Sequence, residues 1–142
     1  MSTSRVLEII VHSCEGLQSV AWLGMNQDPY VKASLQPSGQ EAETESIWGG
    51  GTDPKWELSA HRSRLQLCPK ASDQSILLQV LNKNMVLKSE LIGEAVADLD
   101  VVMDDPLRLE LPLQIGGGRS RGTVLCTVLW ARRGDPMAIE DQ

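Results

Sequence analysis

Apolar and polar residues alternate in short runs along almost the whole chain, and clusters of Gly, Pro, Asp and Ser separate the runs. A period of two residues is typical of β-strands that bury one face, and no window keeps a helical period for long. Strands are predicted over Val6–His12, Tyr30–Leu35, Ala42–Trp48, Trp56 with Leu65–Cys68, Ile76–Leu81, Ile92–Leu99, Leu107–Leu113 and Thr123–Trp130. This spacing suits two packed sheets. The sequence therefore predicts an all-β protein, an eight-stranded antiparallel β-sandwich.

The length of 142 residues fits one domain with an ordinary core. We expect this domain to occupy residues 1–133, followed by an acidic, flexible tail over residues 134–142. No apolar run is long enough to span a bilayer, and the N-terminal residues do not resemble a secretory signal. These features predict a cytoplasmic location.

Charge and composition exclude several classes of function. A net charge of −6 argues against nucleic acid as a partner, because such binding depends on Lys and Arg. The two histidines are too few for a zinc site, and no Gly-x-Ser-x-Gly motif is present, so we expect no enzyme activity. The odd count of three cysteines predicts free thiols, with Cys68 and Cys126 packed as small apolar residues.

Several motifs together are similar to those of C2 domains. An apolar strand over residues 7–12 leads to Gly16-Leu17 and then to Asp28-Pro29-Tyr30-Val31-Lys32. Thr52-Asp53-Pro54-Lys55-Trp56-Glu57 and the Ile92-Gly93 strand start resemble later C2 elements. The order of the strands resembles type II topology, and the layout is similar to that of small plant C2 proteins of the elicitor-responsive kind. The resemblance implies a module that docks onto surfaces through loops at one end.

The calcium positions that the resemblance implies are degenerate. Of five acidic positions, one falls on Trp22, and the others fall on Asp28, Asn82, Asn84 and Glu90. Calcium binds several oxygen ligands, and its affinity rises with the number of carboxylates. With two carboxylates left, we expect no cofactor, or at most one weakly held calcium ion. In the alternative interpretation, Asp28 and Glu90 only hold their loops through backbone hydrogen bonds.

Large apolar side chains and two lysines occur in the first and third loops of the predicted fold. The residues predicted to contact a membrane or a partner are Trp22, Leu23, Met25, Lys83, Met85, Val86, Leu87 and Lys88. Apolar residues in loops are typical of docking sites, although they can also fold back and close an empty metal site.

Two functions therefore stay open at this point. The first is a non-enzymatic C2 module that docks to membrane phospholipid, or to a membrane-associated protein, with weak or absent calcium dependence. The second is a calcium-independent protein interaction domain without lipid affinity. The sequence alone indicates neither the identity of the lipid or partner nor the oligomeric state.

Overall fold

The structure is a computed structural model that describes residues 5–21, 25–84 and 87–132. Eight strands follow one another along these residues, and each pairs antiparallel with its neighbours. They are β1 (Arg5–Glu15), β2 (Pro29–Gln36), β3 (Glu41–Glu43), β4 (Arg64–Leu67), β5 (Ser75–Asn82), β6 (Glu90–Asp98), β7 (Leu107–Pro112) and β8 (Thr123–Arg132). The predicted eight-stranded antiparallel sandwich is confirmed. The predicted tail over residues 134–142 lies outside the described residues.

The strands form two four-stranded sheets, with the orders β4-β1-β8-β7 and β3-β2-β5-β6. The last strand, β8, pairs with β1 along its whole length, as expected for type II topology. Alternate side chains of the central strands point between the sheets, and they include the fully buried Leu7, Ile9, Leu78 and Val80. This core fixes the register of each strand, because a shift by one residue would turn its apolar face to water.

The register of the strands decides which loops meet. Pro29 pairs with Asn82, and Asn82 pairs with Glu90, so the loops that precede β2 and join β5 to β6 leave the sheet side by side. We call residues 16–28 loop 1, residues 44–63 loop 2 and residues 83–89 loop 3. Backbone hydrogen bonds join all three, from Lys83 to the Asp28 carbonyl and from Gly51 to the Gln27 carbonyl.

The prediction of a strand over Ala42–Trp48 is wrong beyond Glu43. The backbone of Thr44 still donates to the Val31 carbonyl, but the Val31 N–H bonds the Thr44 hydroxyl at 3.0 Å instead of a strand carbonyl. This side chain ends the ladder, since it takes the place of the backbone acceptor. Trp56 likewise lies outside β4, next to an isolated bridge between Ser13 and Lys55.

The structure describes all three cysteines, and none of them forms a disulfide. Burial raises the pKa of the Cys14 thiol far above its usual value, and raises that of Cys126 to about 12. Cys68 was predicted to pack as an apolar residue, but it is exposed. It follows the buried Leu67 at the end of β4, so the alternation of inward and outward side chains places it on the outer face, together with Gln66. Cys68 is therefore the accessible thiol among the three.

Candidate functional site: the loop end

Four side chains from the predicted calcium positions come together at the loop end. Asp28 immediately precedes β2, Asn82 ends β5, Asn84 follows in loop 3 and Glu90 begins β6. The pairing of β2 with β5 and of β5 with β6 places these positions next to one another. The sequence therefore identified residues that are neighbours in space, although they are distant along the chain.

The side chains of Asn82 and Asp28 are both engaged in hydrogen bonds with backbone groups. The Asn82 side-chain oxygen accepts the Asp28 backbone N–H at 2.8 Å, and an Asp28 carboxylate oxygen accepts the Gly49 N–H at 2.7 Å. Both bonds tie loops to strand ends. Asn82 is buried, and an unpaired polar group at such a site would lower the stability of the fold. The hydrogen bond to Asp28 avoids this loss.

Asn84 supplies a donor at the position where the family places a calcium-binding acid. Its side-chain nitrogen donates to the Lys88 carbonyl at 3.0 Å and to a Glu90 carboxylate oxygen at 3.2 Å. Calcium takes six to eight oxygen ligands, whereas an N–H group cannot ligate a cation. Among the described residues, no group of three or more His, Cys, Asp or Glu side chains could hold a metal. The residues present do not fit a two-calcium site.

A buried glutamine, which the sequence analysis missed, organises loop 1. The Gln27 side chain is 2% exposed, and its oxygen accepts the Val20 N–H at 3.0 Å. Its nitrogen donates to the carbonyls of Gln18 and Gly51 at 3.2 and 2.9 Å. One side chain thus satisfies three backbone groups and joins loop 1 to loop 2. A buried polar residue of this kind gives no periodic signal in a sequence.

The start of loop 1 is also held by loop 2. The backbone N–H of Gly16 donates to a carboxylate oxygen of Asp53 at 2.9 Å, and Leu17 donates to the Thr52 carbonyl. The Gly16 hydrogen bond is the main cause that lowers the pKa of Asp53. Loop 1 is therefore tied to loop 2 at its start as well as at Gln27.

Apolar side chains project from each of the three loops. Met25 in loop 1 is 69% exposed, Trp48 in loop 2 is 79% exposed and Leu87 in loop 3 is 70% exposed. We call these three residues the apolar tip. Lys83 and Lys88, which flank loop 3, are also exposed. The predicted residues Trp22, Leu23, Met85 and Val86 lie outside the described residues.

Trp48 was not predicted to be a site residue, because residues Ala42–Trp48 were predicted to form a strand. It lies instead in a turn closed by a hydrogen bond from Gly50 to the Ile47 carbonyl. Gly49, the third residue of that turn, has a φ of 66°, which favours glycine. The triple glycine after Trp48 was the signal for this turn. The turn lies beside Asp28, since Gly49 donates to its carboxylate.

Comparison with known proteins agrees with this arrangement. The family model for the C2 domain matches residues 5–113. The chain belongs to the C2 domain family. This confirms the resemblance of its motifs, and C2 domains are typically modules that interact with membranes, lipids or proteins. No curated protein sequence matches the chain.

Solved structures share the fold at low sequence identity. A C2 domain of plant extended synaptotagmin 1 is 18% identical with a TM-score of 0.77, and the match covers 93% of this chain and 98% of that one. A C2 domain-containing protein attributed to an elicitor-responsive gene is 19% identical with a TM-score of 0.68, over 93% and 95% of the two chains. Human GIVD cytosolic phospholipase A2 is 18% identical with a TM-score of 0.73; the match covers 92% of this chain but 17% of the phospholipase.

Proposed function

We propose that this chain is a non-enzymatic C2 module that docks to phospholipid membranes through the apolar tip, without a requirement for calcium. The observation that supports it is the exposure of Met25, Trp48 and Leu87 on three loops joined at Asp28. A soluble protein rarely exposes several large apolar side chains at one end unless they contact something. Among the described residues, no helix is long and apolar enough to cross a membrane.

The size of the apolar side chains makes the contact strong enough to matter. An indole offers on the order of 150–250 Å² for burial, which corresponds to roughly 4 kcal/mol when it leaves water. Tryptophan side chains at a membrane surface also favour the headgroup level, where the ring is buried and its N–H stays hydrated. Trp48 is thus the main anchor in this proposal.

The lysines at loop 3 add an electrostatic contribution. The whole chain carries a net charge of −6, so an anionic membrane would repel most of its surface. Lys83 and Lys88 flank the apolar tip and bring positive charge to the point of contact. Each lysine near anionic headgroups contributes about 1 kcal/mol. We therefore expect a preference for anionic over neutral vesicles.

Calcium independence is supported by the hydrogen bonds of the loop end. In a C2 domain with full calcium sites, the metal would neutralise the acidic loops and hold them together. Here Gln27 joins loop 1 to loop 2, Asn82 holds loop 1 against the end of β5, and Asn84 bonds within loop 3. The loops do not need a cation to reach this arrangement, because amides have replaced the mutually repelling carboxylates.

Trp22, Leu23, Met85 and Val86 belong to the proposal through the sequence alone. They occupy the same two loops as Met25 and Leu87, and all four are apolar. If they lie on the same side, they enlarge the contact with the hydrocarbon region. Met25, Trp48 and Leu87 are sufficient for the proposed docking, which does not require these four.

The test is co-sedimentation of the full chain with vesicles of phosphatidylcholine and phosphatidylserine, in EGTA and in calcium. We expect binding in both conditions, stronger than to vesicles of phosphatidylcholine alone. Met25→Ala and Met103→Ala form a matched pair, because the two methionines are 69% and 65% exposed but Met103 lies in the segment between β6 and β7. Met25→Ala should weaken binding, and Met103→Ala should leave it unchanged.

Two outcomes would overturn the proposal. Absence of vesicle binding in either condition would favour a protein interaction domain without lipid affinity. Binding that appears only with calcium would show that the degenerate site is still functional.

A further inference from the structure

The edge of β6 offers a second surface, far along the strand from the loop end. β6 is the edge strand of its sheet, and it pairs with β5 on its other side. Edge strands carry a row of backbone N–H and C=O groups that can pair with another chain, so proteins usually cover or interrupt them.

The first half of this edge is covered by the segment between β7 and β8. The Arg121 side chain donates to the Ile92 carbonyl. Glu94 and Gln114 exchange two backbone hydrogen bonds, of 2.8 and 2.9 Å. Gly93 permits this close approach, because a Cβ there would lie 2.9 Å from the Leu113 Cβ. The loop-end half of the β6 edge is therefore closed.

The second half of the edge is open. Backbone groups of an antiparallel strand point to the same side at every second residue, so Val96 and Asp98 follow Glu94 on the open side. Within the described parts of the chain, β6 has no strand or bridge partner on this side beyond Glu94. The Val96 side chain is 60% exposed, and β6 carries neither lysine nor proline, which commonly protect edges.

A groove lies beside this open edge. Its volume is about 390 Å³, and it lies between β6 and the end of β7. Glu94, Ala95 and Val96 line one side, and Leu111 and Pro112 line the other. Alanine at position 95 leaves space that a larger side chain would fill. A strand added next to Val96 would therefore direct one of its alternate side chains into this groove.

The charge around the edge indicates what kind of chain would pair there. Between Lys88 and Arg108 the sequence has no lysine or arginine, but it has six carboxylates, at Glu90, Glu94, Asp98, Asp100, Asp104 and Asp105, of which Asp104 is paired with Arg5. Asp98 and Asp100 lie directly at the open end of β6. A second copy of this chain would bring the same acidic edge and would be repelled. A basic segment would be attracted.

We propose that the open edge of β6 at Val96–Asp98 binds an extended peptide segment of a partner protein, with an aliphatic residue between flanking lysines or arginines. The peptide adds a strand to the sheet: its backbone pairs with Val96, one aliphatic side chain enters the groove against Leu111, and its basic residues lie near Asp98 and Asp100. Strand addition of this kind takes its affinity from main-chain hydrogen bonds and its specificity from alternate side chains. This surface is separate from the apolar tip, and it does not depend on the proposed membrane function.

The test uses a fluorescein-labelled peptide, acetyl-Lys-Thr-Val-Leu-Val-Lys-amide, titrated with the full chain and followed by fluorescence anisotropy. Val96→Pro removes the edge N–H while leaving the β5 pairing in place. Loss of these main-chain bonds should weaken the affinity by about tenfold. Asp98→Lys should weaken it by up to about fivefold, since a favourable charge pair becomes unfavourable.

Two controls separate this site from general attraction. Glu43→Lys makes the same change in net charge on β3, at the opposite edge of the sheet, and it should alter the affinity by less than about twofold. Two further peptides are N-methylated at alternate residues, one at the odd positions and one at the even positions. Both keep the charge of the parent peptide. The one whose methyl groups replace the N–H groups that face β6 cannot form the ladder and should fail to bind. This control leaves the protein unchanged, so it holds even if Val96→Pro does not fold.

The binding site is also observed directly by ¹⁵N NMR, in which the Val96 amide should shift and become protected from exchange when the peptide is added. Absence of peptide binding would overturn the proposal. So would equal weakening by Asp98→Lys and Glu43→Lys, or binding of both N-methylated registers as tightly as the parent peptide. If the chain alone forms a dimer and Val96→Pro converts it to a monomer, the edge binds a second copy of the chain instead.

Discussion

The apolar tip and the open edge of β6 both expose apolar side chains, but they differ in the polar and charged groups around these side chains. The tip presents Met25, Trp48 and Leu87, whereas the stretch that starts on the β6 edge presents Val96, Val101 and Met103. At the loop end, side chains accept the backbone N–H groups of Val20 and Asp28, and two lysines lie in loop 3. At the edge, the described β6 has no bridge partner on its outer side beyond Glu94, and the sequence from β6 to Asp105 carries carboxylates without a lysine or arginine.

This difference decides what each surface can bind. A membrane offers no backbone partners, so a surface that enters it must have its own polar groups satisfied. The loop end bonds several of its backbone groups with its own side chains, and its lysines suit anionic headgroups. An open edge would carry unsatisfied groups into the membrane, but it suits an extended peptide, which supplies the missing partners. Exposed apolar area alone therefore does not identify the partner; the polar groups around it do.

The largest expected effect comes from removing the glutamine that organises the loop end. Gln27→Leu would leave the Val20 N–H and the carbonyls of Gln18 and Gly51 without their partner. Each unsatisfied buried group costs about 1–3 kcal/mol, and partial hydration would offset some of the sum. We expect the free energy of unfolding to fall by roughly 2–4 kcal/mol in urea denaturation.

A matched change at the edge sharpens this comparison. Val96→Ala removes an exposed side chain and no hydrogen bond, so its effect on the free energy of unfolding should stay within about 0.5 kcal/mol. Equal effects of Gln27→Leu and Val96→Ala would contradict the distinction between a satisfied loop end and an open edge.

The next effect concerns membrane affinity. Trp48→Ala should weaken binding to phosphatidylserine vesicles by at least about tenfold, because the indole contributes several kcal/mol of burial. Trp48→Phe should retain most of the binding. Neither variant should lower the melting temperature, since the side chain is 79% exposed in the free protein. Vesicle co-sedimentation and thermal unfolding measure the two properties separately.

The sequence predicted the framework of the loop end better than its surface. Strand alternation and the C2 motifs identified Asp28, Asn82, Asn84 and Glu90, and the register of β2, β5 and β6 brings them together. Trp48 was missed because the alternation over Ala42–Trp48 does not show where the strand ends. Here the end depends on the Thr44 hydroxyl, which replaces a backbone acceptor. That hydroxyl contacts Val31 of β2, which is distant along the chain, and no local pattern reveals the contact.

The open edge could not be predicted for a similar reason. The strand prediction placed Val96 correctly within β6, but alternation does not tell a central strand from an edge strand. Only the pairing of Glu94 with Gln114 shows where the cover ends.

A smaller effect is expected from the charge at the tip. Lys83→Gln or Lys88→Gln should weaken binding to anionic vesicles by about fivefold, because each lysine contributes about 1 kcal/mol near the headgroups. The effect should disappear with neutral vesicles and shrink at high salt. Lys55→Gln is a suitable control, as Lys55 is an exposed lysine of loop 2 whose backbone pairs with Ser13. An equal loss with Lys55→Gln would indicate general attraction instead of contact at loop 3.

The smallest expected effect is that of calcium on stability. A ligand that binds only the folded state stabilises it by RT ln(1 + [L]/Kd). An ion whose Kd exceeds its concentration therefore adds little stability. We expect millimolar calcium to shift the melting temperature by less than about 1 °C in differential scanning calorimetry. A larger rise that Asp28→Asn abolishes would contradict the absence of a fitting metal site.

The most direct test of the central claim is the depth of two spin labels in a membrane, measured by electron paramagnetic resonance in EGTA. Met25→Cys and Met103→Cys are each labelled in a Cys68→Ser background. Cys14 and Cys126 stay unlabelled, because both are buried and their thiols have raised pKa values. With phosphatidylserine vesicles, the label at position 25 should lie below the level of the lipid phosphates, and the label at position 103 should remain in water. Two labels in water, or the deeper label at position 103, would contradict docking through the apolar tip.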